Sequence, residues 1–342
     1  MNSNVPTKQK RIFGYDLIKA LAMFLVVFYH TGMIDCAYIH GEFYIPNVNK
    51  MIQILAAAGV PLFFMVNGAL TVGKNADFRI VITRVCRLIF IAVLWTSILR
   101  VGILGFGMGR LSGFTISSFA NFYWFFYSLA LSYIVNYLID TSPKWLGKTF
   151  LLVLFCLVFV NNFIWDILLC VKPNTTLPSW GHTGFFTLYG VIYTRIGAFL
   201  RDKGYRPLIS VFLMLIGYGL IFFETVVMTD STGTLFDGVN GAFPTLGAMF
   251  LAIGLFCLLK DIKACESSTA KLIGLVGMNS GGVYVFHHLF IVLIRDEFFG
   301  GVMNIRFLPI IAVLFIALFV CLLTAGISEQ IGRSPCKFLL KF

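Results

Sequence analysis

The chain alternates between long apolar stretches and short polar joints, without sustained two-residue alternation. Ten predominantly apolar stretches fall near 12–33, 51–72, 82–104, 119–139, 149–170, 185–200, 208–228, 241–259, 273–294 and 307–327. A helix needs about 20 such residues to cross a bilayer. Continuous runs favour helices over a barrel, whose strands would alternate apolar and polar positions. In lipid each segment must satisfy its own backbone polar groups. The pattern therefore predicts an all-α polytopic membrane bundle of about ten transmembrane helices. The joints include no low-complexity tail or Pro-rich linker, so 1–342 is read as a single transmembrane domain without a soluble accessory domain. Lys8, Lys10 and Arg11 precede the first run as they would in a signal sequence. That run, however, contains Asp16, Lys19 and His30 and offers no clean small-residue cleavage site, so it is read as a retained span.

Composition supports the bilayer as solvent. Charged residues make up 12% of the chain and hydrophobic ones 59%, with a mean hydropathy of +0.90. Soluble domains carry about a quarter charged residues. A net charge of +11 would point to nucleic acid in a soluble protein. Here most of the basic residues lie in the joints, and no nucleic-acid partner is expected. If both termini are cytoplasmic, 18 of the 26 basic residues fall on the inner side, among them Lys74, Arg79, Arg84, Arg87, Lys144 and Lys148. Six fall outside, and Lys19 and Arg195 lie within spans. The positive-inside rule thus favours cytoplasmic termini and an even number of spans in a cell membrane. The eight cysteines form no CxxC pair and read as small buried hydrophobes, although Cys36 and Cys170 lie near one side and could pair.

Ionisable side chains inside spans are candidates for function. Asp16, Lys19 and His30 share one stripe of the first helix. Eleven residues from Lys19 to His30 make three turns and roughly 16 Å. Such a stripe suits a polar cavity, but the spacing equally allows Asp16 and Lys19 to snorkel at the inner interface while His30 packs between helices. Arg84 and Arg87 stand one turn apart at the inner end of the third span. They fit either a phosphate clamp or a pair of topological anchors. The segment from Gly59 to Gly68 places Gly and Pro at one end of a span and Asn67 deeper in it. Tyr284, His287 and His288 lie in the ninth span, at a depth comparable to that of His30.

Together these segments resemble the acyltransferase-3 family of membrane acyltransferases. The match runs from Arg11 and Gly14-Tyr15-Asp16-Leu17-Ile18-Lys19 to Tyr29-His30. It continues through Pro61-Leu62-Phe63-Phe64 with Asn67-Gly68, like the family's PLFF-x-x-SG, and through Arg84-Val85-Cys86-Arg87. Tyr123-Trp124-Phe125-Phe126 resembles the family's WFL segment, and Asn279-Ser280 with Tyr284 through His288 resembles its late S-x-x-x-Y-x-x-H. Lys19 stands where Arg is common, and Asn67 where Ser is common.

The resemblance implies transfer of an acyl group, usually acetyl, from cytoplasmic acyl-coenzyme A to a hydroxyl of a surface glycan or its lipid-linked precursor. Acyl-coenzyme A (acetyl-coenzyme A) is then the donor co-substrate, and no metal is expected. His30 is expected as general base or transient acyl carrier, with Lys19 and Asp16 completing the catalytic set and Asp35 or Glu42 as its acidic support. Arg84, Arg87 and Lys19 are expected to hold the donor. Tyr284, His287, His288 and Asn67 are expected to bind substrate. Some relatives carry an additional esterase-like domain. This chain has no room for one after its last run, so it is expected to act alone or with a separate extracytoplasmic transferase. The other reading is a transporter of a small molecule such as an amino acid, or a proton-coupled exporter.

Overall fold

A computed structural model describes residues 12–31, 38–39, 42–43, 52–73, 77–105, 123–172, 188–232, 238–239, 242–298, 308–334 and 340. Helices account for most of this, and the strands among the described residues are a two-residue antiparallel pairing of Tyr38–Ile39 with Glu42–Phe43. Helix α1 spans Phe13–His30. A 3-10 turn over Ile54–Ala58 leads into α2, Gly59–Thr71. Helices α3 (Phe78–Gly105) and α4 (Trp124–Thr141) follow. Helices α5 (Lys144–Phe155) and α6 (Asn161–Val171) form one long rod through a π-helical turn at Cys156–Val160. Beyond them lie α7 (Tyr189–Leu200), α8 (Pro207–Thr232) and α9 (Leu246–Leu259). Helices α10 (Ser268–Met278), α11 (Ser280–Phe298) and α12 (Leu308–Arg333) complete the described fold.

Every one of the ten expected stretches carries helix. Among the described residues, six helical segments are long and apolar enough to cross a membrane. Their outer faces confirm the solvent. Leu208, Phe212 and Leu215 make an exposed stripe along α8, and Phe315, Leu318 and Phe319 do the same on α12. Water would penalise such stripes, whereas lipid covers them at no such cost. The cysteine expectation divides along the same line. Cys257 and Cys321 are buried, but Cys86, Cys156, Cys170 and Cys265 are exposed free thiols. Cys36 lies outside the described residues.

Helix α1 sits at the centre, against α2, α9, α10, α11 and α12. Close backbone approach makes this possible. A Cβ at Gly277 would stand 2.2 Å from the carbonyl oxygen of Asp16, so the end of α10 lies directly on the first turns of α1. Helices α2 and α7 interlock similarly, with Gly68 against the Thr194 carbonyl and Gly197 against the Met65 carbonyl.

The expected single span at 273–294 is in fact two helices. Ser267 caps α10 by accepting from the Ala270 N–H at 3.1 Å. The helix ends at Asn279, whose side chain turns back to donate to the Leu275 carbonyl at 2.9 Å. Asn279 leaves helical geometry, with φ −100° and ψ 17°. A new helix starts at Ser280, so a helix break falls beside Lys19.

Candidate functional site

Asp16 is buried at 4% exposure, and its Oδ1 holds the Lys19 ammonium at 2.9 Å. The pair is a single turn on α1, which keeps a cation inside the bundle with its counter-charge beside it. Lys19 reaches a cavity of about 360 Å³, also lined by Asn67 and Thr71 of α2, Arg84 and Arg87 of α3, Tyr133 of α4, and Ser280 and Tyr284 of α11. Phe63, Phe125 and Phe126 supply much of its apolar wall. Three cations and several hydroxyls around an aromatic slot suit an anionic ligand with a long, weakly polar arm.

Asn67 is fixed rather than free to turn. Its Nδ2 donates to the Phe63 carbonyl at 2.9 Å, and its Oδ1 accepts from the Tyr133 hydroxyl at 3.1 Å. The Arg84 guanidinium lies 5.9 Å from the centre of the Tyr133 ring. A second cavity of about 220 Å³ adjoins the first, sharing Thr71, Arg84 and Tyr133. The other in-span cation, Arg195, is held elsewhere. It pairs with Asp140 at 2.6 Å and donates to the Asn136 carbonyl at 2.8 Å.

His30 ends α1, against His287 and His288 of α11. Ring centres lie 5.4 Å apart for His30–His287, 4.2 Å for His30–His288 and 4.3 Å for His287–His288. His287 is 1% exposed. Its Nδ1 lies 2.7 Å from the Tyr284 carbonyl, an acceptor, so the ring proton belongs on Nδ1. Its Nε2 is then an electron pair without a hydrogen-bond partner among the described residues. His30 and His288 line a chamber of about 60 Å³ with Val26, Val60, Trp124 and Phe243.

The three imidazoles present ligand atoms within 4.8 Å of one another, as a metal site would. A tetrahedral ion bound at about 2.0–2.1 Å would hold the ring centres about 5 Å apart. Two of the three pairs are closer than this, so the trio would have to part before accepting an ion.

The expected residues thus gather in two places. Lys19, Asn67, Arg84, Arg87 and Tyr284 line the large cavity, while His30, His288 and Tyr284 line the small one. His287 lies behind Tyr284, and Asp16 pairs with Lys19 and lines neither space. Arg11 and Asp35 lie outside the described residues, as does the side chain of Glu42. The order of contacts also fixes helix direction. Lys19 and Ser280 share one end, His30 and His288 the other, so α1 and α11 run in the same direction, as the first and ninth spans of an alternating bundle must. Sequence reasoning missed Tyr133, which anchors Asn67, and the buried acids Asp166 and Glu224 of α6 and α8. Both acids interrupt apolar runs, the signal that did identify Asp16.

The acyltransferase-3 family model, described as an acyltransferase domain, matches residues 12–326. No curated protein and no solved structure gives a significant match.

Proposed function

Given that the chain belongs to the acyltransferase-3 family and is a membrane acyltransferase, we propose that it moves an acyl group, acetyl in the first instance, from cytoplasmic acyl-coenzyme A to a hydroxyl of a surface glycan or its lipid-linked precursor. The observation that carries this reading is the large cavity. It collects Lys19, Arg84 and Arg87 around an aromatic slot that ends on Tyr284, and the chamber of His30 lies on the other side of that ring. The cations meet the donor's phosphates, and the arm runs along the slot toward the histidines.

His30 then acts as general base. The acceptor oxygen attacks the thioester carbonyl and gives its proton to the His30 ring. The carbon–sulfur bond breaks, and the thiolate leaves to become a thiol. In the alternative order His30 takes the acyl group first, as an acyl-imidazole, and the hydroxyl then attacks it. The setting is the cell membrane, with the lipid bilayer as solvent and, for relay to some acceptors, a separate extracytoplasmic transferase as partner.

Purified protein in nanodiscs, given radiolabelled acetyl-coenzyme A and lipid-linked glycans from the producing cells, should transfer label to the glycan fraction. Donor binding without any labelled product in that fraction would reject the acceptor class. Failure to bind the donor would reject the reading as a whole.

The spacing of the three rings makes a further expectation specific. If the trio serves as base and packing partners rather than as ligands, prolonged treatment with a strong chelator should leave transfer unchanged. Loss of activity that zinc restores would reassign the histidines as metal ligands.

A further inference from the structure

The large cavity and the small chamber share one lining residue, Tyr284. The residue is 8% exposed, and its ring is framed by Phe126 at 4.9 Å, Phe125 at 5.5 Å and Tyr123 at 6.3 Å between ring centres. On its other flank the His287 ring lies at 5.5 Å. The Tyr123 hydroxyl donates to the Val285 carbonyl at 3.2 Å, which ties the start of α4 to α11 at this level. Successive turns of α11 therefore present Ser280 to the large cavity, Tyr284 between the two spaces, and His288 to the small chamber. The spaces are unequal, at about 360 and 60 Å³. An apolar cavity of about 150 Å³ takes a benzene ring, so the smaller space is on the scale of a group of two or three heavy atoms. An acetyl group fits, and a long acyl chain does not.

We propose that Tyr284 is the partition across which the acyl group passes to the histidines, and that its bulk restricts transfer to short acyl groups while keeping water from the thioester. This rests on the donor occupying the large cavity. With the ring in place, the thioester meets only an oxygen that has entered the small chamber. With the ring removed, the two spaces join and water can attack the same carbonyl. A carbon–oxygen bond then forms, the carbon–sulfur bond breaks, and the products are a free carboxylic acid and the coenzyme thiol.

The test uses full-length protein in nanodiscs, with acetyl- and octanoyl-coenzyme A as donors and free thiol as the readout. The wild type should release thiol slowly without acceptor and should strongly prefer acetyl. Tyr284→Ala should raise acceptor-independent thiol release tenfold or more and narrow the acetyl-over-octanoyl preference at least tenfold. Tyr284→Leu, a milder change, should move both in the same direction and serves if the Ala variant does not fold. Tyr284→Phe keeps the bulk and should match the wild type in both. A Tyr284→Phe variant that leaks thiol or loses the acetyl preference as the Ala variant does would assign both effects to the phenol rather than to the ring's bulk and overturn the partition. So would normal donor binding by the Ala or Leu variant with neither readout changed. Failure of the wild type to bind acetyl-coenzyme A is a distinct result, which removes the donor reading itself.

Discussion

His30→Gln should yield a protein that inserts, folds and binds acyl-coenzyme A but transfers no acyl group. Glutamine preserves roughly the size of the imidazole and its hydrogen bonding, so the contacts with His288 and the chamber wall should survive. An amide cannot accept the acceptor's proton at neutral pH, nor carry an acyl group in a reactive form. Loss of a general base costs about a hundredfold to ten-thousandfold in rate. Donor affinity should be unchanged within twofold, because the residues that meet the donor's charge line the other cavity. The measurement is single-turnover transfer beside equilibrium donor binding on the same preparation. If His30 merely packs α1 against α11, Gln would restore transfer and Ala would lower the amount of folded protein. An active His30→Gln protein would move the base to His288, which lines the same chamber. His287 is the weaker substitute because it lines neither space.

That His30 could be singled out from sequence reflects the cost of polarity in lipid. An imidazole, an acid and a base on one stripe of an apolar helix are expensive to keep, so their presence already indicates a polar interior. The same logic placed the ten helical stretches, since apolar runs of membrane length leave the backbone little choice. It failed where neighbouring helices or local geometry decide. The break at Asn279 is local, a single residue out of helical geometry before the next helix starts at Ser280. Hydropathy averaged over a span passes across it. The division into two cavities is not written in any one segment, because Tyr284 becomes a partition only when α4 brings Phe125 and Phe126 against it. Spacing on α1 correctly put Lys19 and His30 on a common stripe. Whether they served one space or two depended on a ring from a segment more than two hundred residues away.

Replacing both Arg84 and Arg87 by Ala should weaken acyl-coenzyme A binding by tenfold or more without affecting insertion. The two stand one turn apart on α3, and both line the large cavity opposite Lys19. Hydrogen bonds to charged groups contribute about 1.5–3 kcal/mol each, so losing even one productive contact gives about a tenfold effect. Arg84→Lys should recover only part of the loss, because an ammonium keeps the charge but not the forked pair of donors. Rising salt should weaken donor binding to the wild type more than to the double variant, since screening acts on the contacts the variant lacks. Acetyl-pantetheine provides the internal control. It carries the thioester and most of the arm but neither the nucleotide nor the phosphates, so wild type and double variant should bind it equally. Equal loss for both donors would mean that the arginines shape the cavity rather than hold phosphate. Normal acyl-coenzyme A binding by the double variant would leave them as inner-face anchors of the kind that positive-inside topology alone requires.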